Sequence, residues 1–524
     1  MEMEHEMEID MEKIAILPPK TNNYIAKAND SNNNVIENQS GSSSSNININ
    51  SNSSPSPRRV KLKDVAQSAM EDILREEANA MDDIPKHDFS ADFDLSYGNT
   101  NTSSPTPPHK VHRKLITGES YTFHDISKRV SNNDEDLISF AVRSTGQNFL
   151  SISVQGGENV TLVLPLHLTG AKIDDFSAAL INNTVLQKID FRGNDLTDDN
   201  IIILMKGLKN STSLTSLNLS NNNVTVNSMA ALSKIVATSL VTLNLSYNMI
   251  GDSGAQKLAT AISNPNTMLR DLFLDTAAIK HYGASFLAAA FAVNRSLENI
   301  NLSGNLISQS CKRIAFAIMR NVKLKNVQLG DAHLESIGAE HFSRFMESST
   351  SLTSIDLFGN GITDSGCFAI ANALTVNRSI KRICLKRNNI GDEGVGAISS
   401  SLVANGCLES LDVGGNYFGD VGLKRLGTVL TISGALKELD VSDSKLTSAS
   451  LTTMSDVLRT NDKLVVLNMS ENKIGSVELQ GLNHALEVND SLEVLYLSAD
   501  GLGQDGLDEL MQLENFWDSR IICI

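Results

Sequence analysis

The sequence predicts an α/β solenoid, a horseshoe-like stack of strand–turn–helix units with a parallel sheet on the concave wall and helices on the convex wall. Three observations predict it. The pattern L-x-x-L-x-L-x-x-N, with other apolar residues standing in for Leu, recurs twelve times, its first residue falling at 186, 214, 240, 269, 297, 324, 352, 380, 408, 436, 464 and 492. The intervals are 26 to 29 residues, and most are 28. Between motifs a second apolar pattern steps by three and four, as in Ile390, Val395, Ile398 and Leu402, which is the period of one helix face. Composition also shifts along the chain: eight of the ten prolines and the Asn/Ser runs between Asn22 and Ser54 precede residue 109, so the core must come from the residues beyond that point.

Taken in order, residues 1–114 read as a disordered Asn/Ser/Pro-rich arm with too little apolar surface to offset chain entropy. Within it, Leu62, Val65, Ala66, Ala69, Met70, Ile73 and Leu74 recur at helical spacing and mark an amphipathic helix over 60–81. Two basic clusters beside Ser-Pro and Thr-Pro steps, Arg58-Arg59-Val60-Lys61-Leu62-Lys63 and Lys110-Val111-His112-Arg113-Lys114, read as nuclear-import segments that phosphorylation would neutralise. Residues 115–162 read as an irregular N-terminal cap segment, 163–513 as the repeat domain with about twelve full repeats, and 514–524 as a C-terminal cap containing Trp517.

Each repeat unit is too small to bury its own apolar face, so the units must stack. The Asn closing the motif is expected to bond backbone along the turn. Eight of twelve units keep it; Ala277, Ala332, Ser444 and Asp500 replace it, and those turns are expected to be less regular. A second Asn near each helix end (Asn266, Asn294, Asn377, Asn405, Asn461, Asn489) suits a left-handed residue closing the helix.

The 28-residue unit with its turn Asn248-Met249-Ile250-Gly251-Asp252-Ser253-Gly254-Ala255 resembles the ribonuclease-inhibitor-type leucine-rich repeat over about residues 160–513. Proteins of this kind include ribonuclease inhibitor, the repeat arms of NOD-like receptors and Ran GTPase-activating proteins. The resemblance implies a protein partner held on the concave face. It also implies two alternatives: a GTPase activator of the Ran type acting on a small GTPase, and an inhibitor of a basic enzyme. The chain ends Asp518-Ser519-Arg520-Ile521-Ile522-Cys523-Ile524 rather than in the acidic tail typical of the Ran type, and no site residues of that family can be placed on this sequence.

Little else points to chemistry. There is no phosphate-binding GxxxxGK[ST], no HExxH, no GxSxG and no kinase motif set, so the reading is of a non-enzyme with no cofactor, no metal and no small-molecule substrate. His333 and His341 straddle a turn and a helix and do not form a metal pair. A net charge of −17 opposes a broad hold on nucleic acid or anionic membrane. The octet Met1–Glu8 lacks the basic and apolar runs of a secretory signal, and the five scattered cysteines form no CxxC pair. Both point to the cytoplasm, with the nucleus open through the basic clusters.

Binding residues are sought among the outward positions of the strands. The slot between the second and third apolar residues is mostly Asn and Asp, an ordinary solvated filling. Against it stands Phe358 beside Lys381, Arg382, Lys386 and Arg387, flanked by Asp356 and Asp412. An aromatic among Arg and Lys is the composition of an interface hot spot. Tyr247 and Phe273 form a second, smaller candidate patch.

Overall fold

The computed structural model describes residues 151–154, 170–181, 183, 186–432, 434–498, 502, 506 and 521–523. All of them fall within the unit Phe93–Ile524. The N-terminal arm, its helix at 60–81, the basic clusters and Trp517 lie outside the described residues.

Fourteen strands form one sheet in strict chain order. β1 (Ser151–Val154) is followed by β2 (Leu186–Asp190), β3 (Ser216–Asn218), β4 (Thr242–Asn244), β5 (Asp271–Phe273) and β6 (Asn299–Asn301). Then come β7 (Asn326–Gln328), β8 (Ser354–Asp356), β9 (Arg382–Cys384), β10 (Ser410–Asp412) and β11 (Glu438–Asp440). β12 (Val466–Asn468), β13 (Val494–Leu497) and β14 (Ile521–Cys523) complete the order. The twelve motif strands, β2 to β13, are parallel and in register, motif residue to motif residue, as in Ser354↔Arg382↔Ser410. Between motif strands runs a helix, for example Thr363–Val376 or Asp392–Ala404. β1 pairs with β2 antiparallel, with a register shift between Ser153 and Val154, so the stretch read as irregular contains a strand on the outer edge of the first repeat. β14 runs parallel to β13 at the other edge.

Parallel strands sit ~4.8 Å apart, whereas packed helices need roughly 8–10 Å. Strands and helices alternate one to one, so the layer with the shorter repeat lies inside the curve and the sheet is the concave wall. The motif leucines fill the space between the layers in one continuous core; Leu217, Leu243, Leu357, Leu385 and Leu467 are fully buried.

Three sets of polar side chains tie neighbouring units. The first is the motif asparagine. Asn360 Nδ2 donates to the carbonyls of Leu329 (2.7 Å), Leu357 (3.0 Å) and Phe358 (3.1 Å), and its Oδ1 accepts from the N–H of Ala332 (3.0 Å) and Leu334 (3.2 Å). Asn222, Asn305, Asn416 and Asn472 repeat that pattern. Where the Asn is missing, the turn itself keeps its shape: Thr276, Asp331 and Asp443 have φ of 50, 49 and 46°, like their counterparts in the Asn-bearing units. The loss falls on the unit before, which has no amide to accept its N–H groups. Before Ala332, Ile307 N–H turns back onto Asn305 O at 3.0 Å, and a 3₁₀ turn follows at Ser308–Ser310. A second 3₁₀ turn, Ser476–Glu478, stands one unit before Asp500, which is itself outside the described residues.

The second set corrects an expectation. Asn294, Asn377, Asn405 and Asn489 are extended, not left-handed, with φ between −66 and −94°. Their side chains do the work instead: Asn377 Nδ2 reaches the Met346 carbonyl of the preceding helix (2.6 Å), while Oδ1 accepts Ile380 N–H (2.8 Å). Asn266 is exposed and stands outside this set; Thr267 takes its place, donating to the Val236 carbonyl at 3.1 Å. The third set is an aspartate at the helix start that caps the next helix. Asp364 Oδ1 accepts the N–H of Gly391 (2.7 Å) and Gly394 (3.0 Å), and Asp392 does the same for Gly419 and Gly422. Such close approach demands glycine, because a Cβ on Gly394 would lie 2.4 Å from Asp364 Oδ1.

Asn360→Ala removes five hydrogen bonds at once, four of them buried. We expect it to lower unfolding stability by roughly 2–4 kcal/mol, read from the urea midpoint. A variant within ~0.5 kcal/mol of the parent, the range usual for surface substitutions, would refute the load assigned to this ladder.

Candidate protein-binding surface

In each motif strand the central residue points into the core and its neighbours point outward, so the concave face is made of the intervening positions. The slot between the second and third apolar residues has a structural task. Asp356 Oδ1 accepts Phe358 N–H at 2.9 Å, Asp412 Oδ1 accepts Gly414 N–H at 3.0 Å, and Asn218, Asn244, Asn301 and Asp440 bond two residues ahead in the same way. Short Asx side chains thus start the turn after eight of the twelve motif strands, which is why Asn and Asp predominate in the slot.

The residue before each motif Asn is left-handed in every described unit. It is glycine at 193, 304, 359 and 415, and a side-chain-bearing residue at Asn221, Tyr247, Thr276, Asp331, Arg387, Asp443 and Glu471. Among these, Arg387 (φ 55°) and Tyr247 (φ 56°) are bulky and exposed. Arg387 carries its guanidinium over the half-buried ring of Phe358, 5.9 Å from the ring centre. Gly415 makes room for it, since a Cβ there would lie 2.6 Å from Arg387 Cγ.

Lys386 joins this end of the strand, its Nζ 3.4 Å from Ser442 Oγ. Asp356 and Asp412 flank the group on the strands either side of β9. Lys381 and Arg382 do not join it. They stand at the start of β9, Arg382 at most ~16 Å from Arg387 at ~3.3 Å per residue, with the whole strand between. Lys381 is held there by Glu409 (2.7 Å), which also takes Lys437 (2.9 Å). These two lysines keep the Glu409 carboxyl well below the usual range. Arg382 is exposed, paired in register with Ser354 and Ser410.

The residues of the second candidate patch, Tyr247 and Phe273, stand in neighbouring units. Phe273 is half-buried between the register partners Asn244 and Asn301, and Tyr247 N–H donates to the Asp275 carbonyl at 2.8 Å. Asp275 also accepts from Ser246 Oγ. A third group is not marked by motif position. Tyr417, one residue beyond the motif Asn416, is 58% exposed, and Lys445 in the next unit places its ammonium 4.3 Å from the Tyr417 ring centre. The signal for it in the sequence is an aromatic directly after a motif Asn. Met249 and Leu306, exposed at the same position of their own units, show the same edge to be apolar at intervals.

Burial first, then the neighbouring Asp440, pushes the Asp412 carboxyl up to about 6; Lys386, the Gly414 N–H and Cys384 pull the other way. Burial and the same acidic row push the Cys384 thiol well above its usual range, so it is not a nucleophile at neutral pH. Among the described residues no group of three His, Cys, Asp or Glu is placed to hold a metal ion, and no helix is long and apolar enough to cross a membrane.

Asp412 has a raised pKa in the fold, so the ionised form is the penalised one. The penalty is absent below the unfolded value near 4, grows as pH rises, and is complete above about 6. Asp412→Asn is therefore expected to be more stable than the parent at pH 8, by on the order of 2 kcal/mol, and equal to it near pH 3.5. Thermal melts across that range check it; a difference independent of pH would show that Asp412 does not titrate this way.

A family model described as Leucine Rich repeat matches residues 210–233, 236–259, 348–371, 376–399 and 404–427. The human NACHT, LRR and PYD domains-containing protein 14 is 30% identical over 197 residues, covering 37% of this chain and 18% of that protein. Mouse ribonuclease inhibitor is 25% identical over 251 residues, covering 41% of this chain and 55% of the inhibitor, and the pig inhibitor is 27% identical over 250 residues with the same coverage. An internalin from Listeria monocytogenes aligns in structure at 18% identity with a TM-score of 0.36, over 61% of this chain and 88% of the internalin. The chain thus spans about half or less of the length of these curated relatives. Twelve parallel units in register and the family-model matches show that the repeat region folds as leucine-rich repeats, similar in sequence to those of ribonuclease inhibitor.

Proposed function

We propose that this protein is a non-catalytic binding scaffold that holds a partner protein on the concave face, with its energetic centre at Phe358 and Arg387. One observation carries the reading. Arg387 occupies a turn position that glycine fills in four other units, and the left-handed backbone there costs an L-residue roughly 1–2 kcal/mol. What that cost supplies is an exposed guanidinium stacked on an aromatic ring, the pairing most often found at the centre of interfaces. Lys386, Asp356 and Asp412 surround it with charge, and the Tyr247–Phe273 patch lies on the same face as a second contact. The relatives support a protein-binding role for the repeats; one of them is an inhibitor by name. The four described cysteines are free thiols, which suits a cytoplasmic or nuclear setting.

The test is capture of proteins by the full chain. With Phe358→Ala and Arg387→Ala combined, retention of the specifically captured proteins is expected to fall about tenfold or more while the circular-dichroism spectrum is unchanged. Leu385→Asp is the control that abolishes capture by unfolding its neighbours. Equal capture by the double variant and the parent would move the interface away from this patch, to Tyr247 and Phe273 first.

Arg387→Gly separates function from stability. Relief of the left-handed strain should stabilise the fold by about 0.5–1 kcal/mol, seen as a higher melting temperature, while capture weakens. A variant that melts lower would mean that the stack on Phe358 is worth more to the fold than the strain costs.

A further inference from the structure

The unit beginning at Ile380 carries four outward cations, Lys381, Arg382, Lys386 and Arg387. No other unit places more than two Lys or Arg between its first apolar residue and its motif Asn position, in a chain whose net charge is −17. Only Lys381 is neutralised, by Glu409. Among the described residues, no carboxylate lies within ion-pair distance of Arg382, Lys386 or Arg387. The nearby carboxylates are otherwise engaged: Asp356 on Phe358 N–H, Asp412 on Gly414 N–H, Glu409 between its two lysines. Arg382 stands exposed with a serine on either side in the sheet. Asp412 and Asp331 attract Lys386 and Arg387 without forming an ion pair with them, so three cations of this unit keep donors open to a ligand.

We propose that this crest reads an acidic segment of the partner protein: one carboxylate at Arg382 between Ser354 and Ser410, a second at Lys386 and Arg387, and an apolar side chain on Phe358. The inference rests on the concave-face reading above and adds the chemistry of the partner. Arg382 opens β9 and Lys386 lies in the turn two residues beyond its end, so they are at most ~13 Å apart at ~3.3 Å per residue, and an extended segment would carry its two carboxylates up to about four residues apart. The crest is one strand wide and is bordered by Asp356 on one side and by Asp412, Glu438, Asp440 and Asp443 on the other. Discrete carboxylates fit that width. A nucleic acid, with phosphates at every step, would run onto the acidic rows. Arginine suits the task because its fork bonds a carboxylate in two places.

The full chain is immobilised and a phage-displayed random peptide library is selected on it at about 0.15 M salt, where the screening length is ~8 Å. Enriched peptides are expected to carry two Asp or Glu up to about four residues apart. Binding of one such synthetic peptide should fall about tenfold with Arg382→Gln and again with Arg387→Gln, and should weaken as salt rises. Both changes are at exposed side chains, and circular dichroism confirms that each variant is folded. Enriched peptides without acidic pairs, yet lost with Phe358→Ala, overturn the acidic partner and leave the concave-face reading standing. Peptides indifferent to all three changes overturn both. A library that yields no enrichment over bare beads overturns the acidic segment, and so does tighter binding of a labelled oligouridine that the same variants abolish.

Discussion

A primary amide can donate two hydrogen bonds and accept two, and it is flat. Those properties let one asparagine satisfy backbone groups from two successive turns where water has no access. In Asn360 the amide meets three carbonyls and two N–H groups drawn from both units, at 2.7 to 3.2 Å. Without such a bridge the tight turn after each short strand would bury unpaired polar groups, each costing about 1–3 kcal/mol. Where the motif Asn is missing, at Ala277, Ala332 and Ser444, the strands still pair in register, so the backbone ladder and the leucine core carry the register there and the amide adds to it elsewhere. Burial of leucine supplies the larger part of the stability, and the amide, where present, satisfies the backbone between turns.

The fold is legible in the sequence because the solenoid is a one-dimensional problem. A position 28 residues away in the chain is one strand away in space, so Leu357, Leu385 and Val413 announce their own contacts. Where the side chains of polar residues go is not legible in the same way. The sequence suggests that Asn377 and Asn405 close helices by a left-handed backbone; instead they bridge to the preceding helix end through their amides. Local sequence shows an Asn after a helix; only the neighbour's free carbonyl shows what it is for. The binding surface is legible in part for the same reason. Motif position brings Phe358, Lys386 and Arg387 to one end of adjacent units, but Lys381 and Arg382, close in sequence, lie at the strand's other end. Tyr417 is not marked by its motif position because it follows the motif Asn, where the turn is expected to carry only filler.

The concave face also shows how such a scaffold can vary its binding without touching its core. Outward slots that start turns are held to Asn and Asp, whereas the left-handed residue before the motif Asn accepts glycine, threonine, tyrosine, glutamate or arginine. Side-chain variety among the units therefore concentrates at the rim, at a backbone cost borne locally. Tyr247 and Arg387 are the two places where a bulky, exposed side chain accepts that cost.

The ladders run in opposite directions, and this joins the units like tongue-and-groove boards. The motif asparagine of one unit secures the turn of the unit before it, as Asn416 does for Asn388 and Ile390. The aspartate at a helix start secures the helix of the unit after it, as Asp364 does for the helix beginning at Asp392. A cut between two units joined by both ladders, such as those beginning at Ile380 and Leu408, therefore damages both pieces, and differently: the N-terminal piece loses a turn on the rim, the C-terminal piece loses a helix start on the outer wall. The rim at Arg387 is thus pinned by the unit beginning at Leu408, so a board bearing none of the stacked aromatic–arginine pair keeps that pair in place.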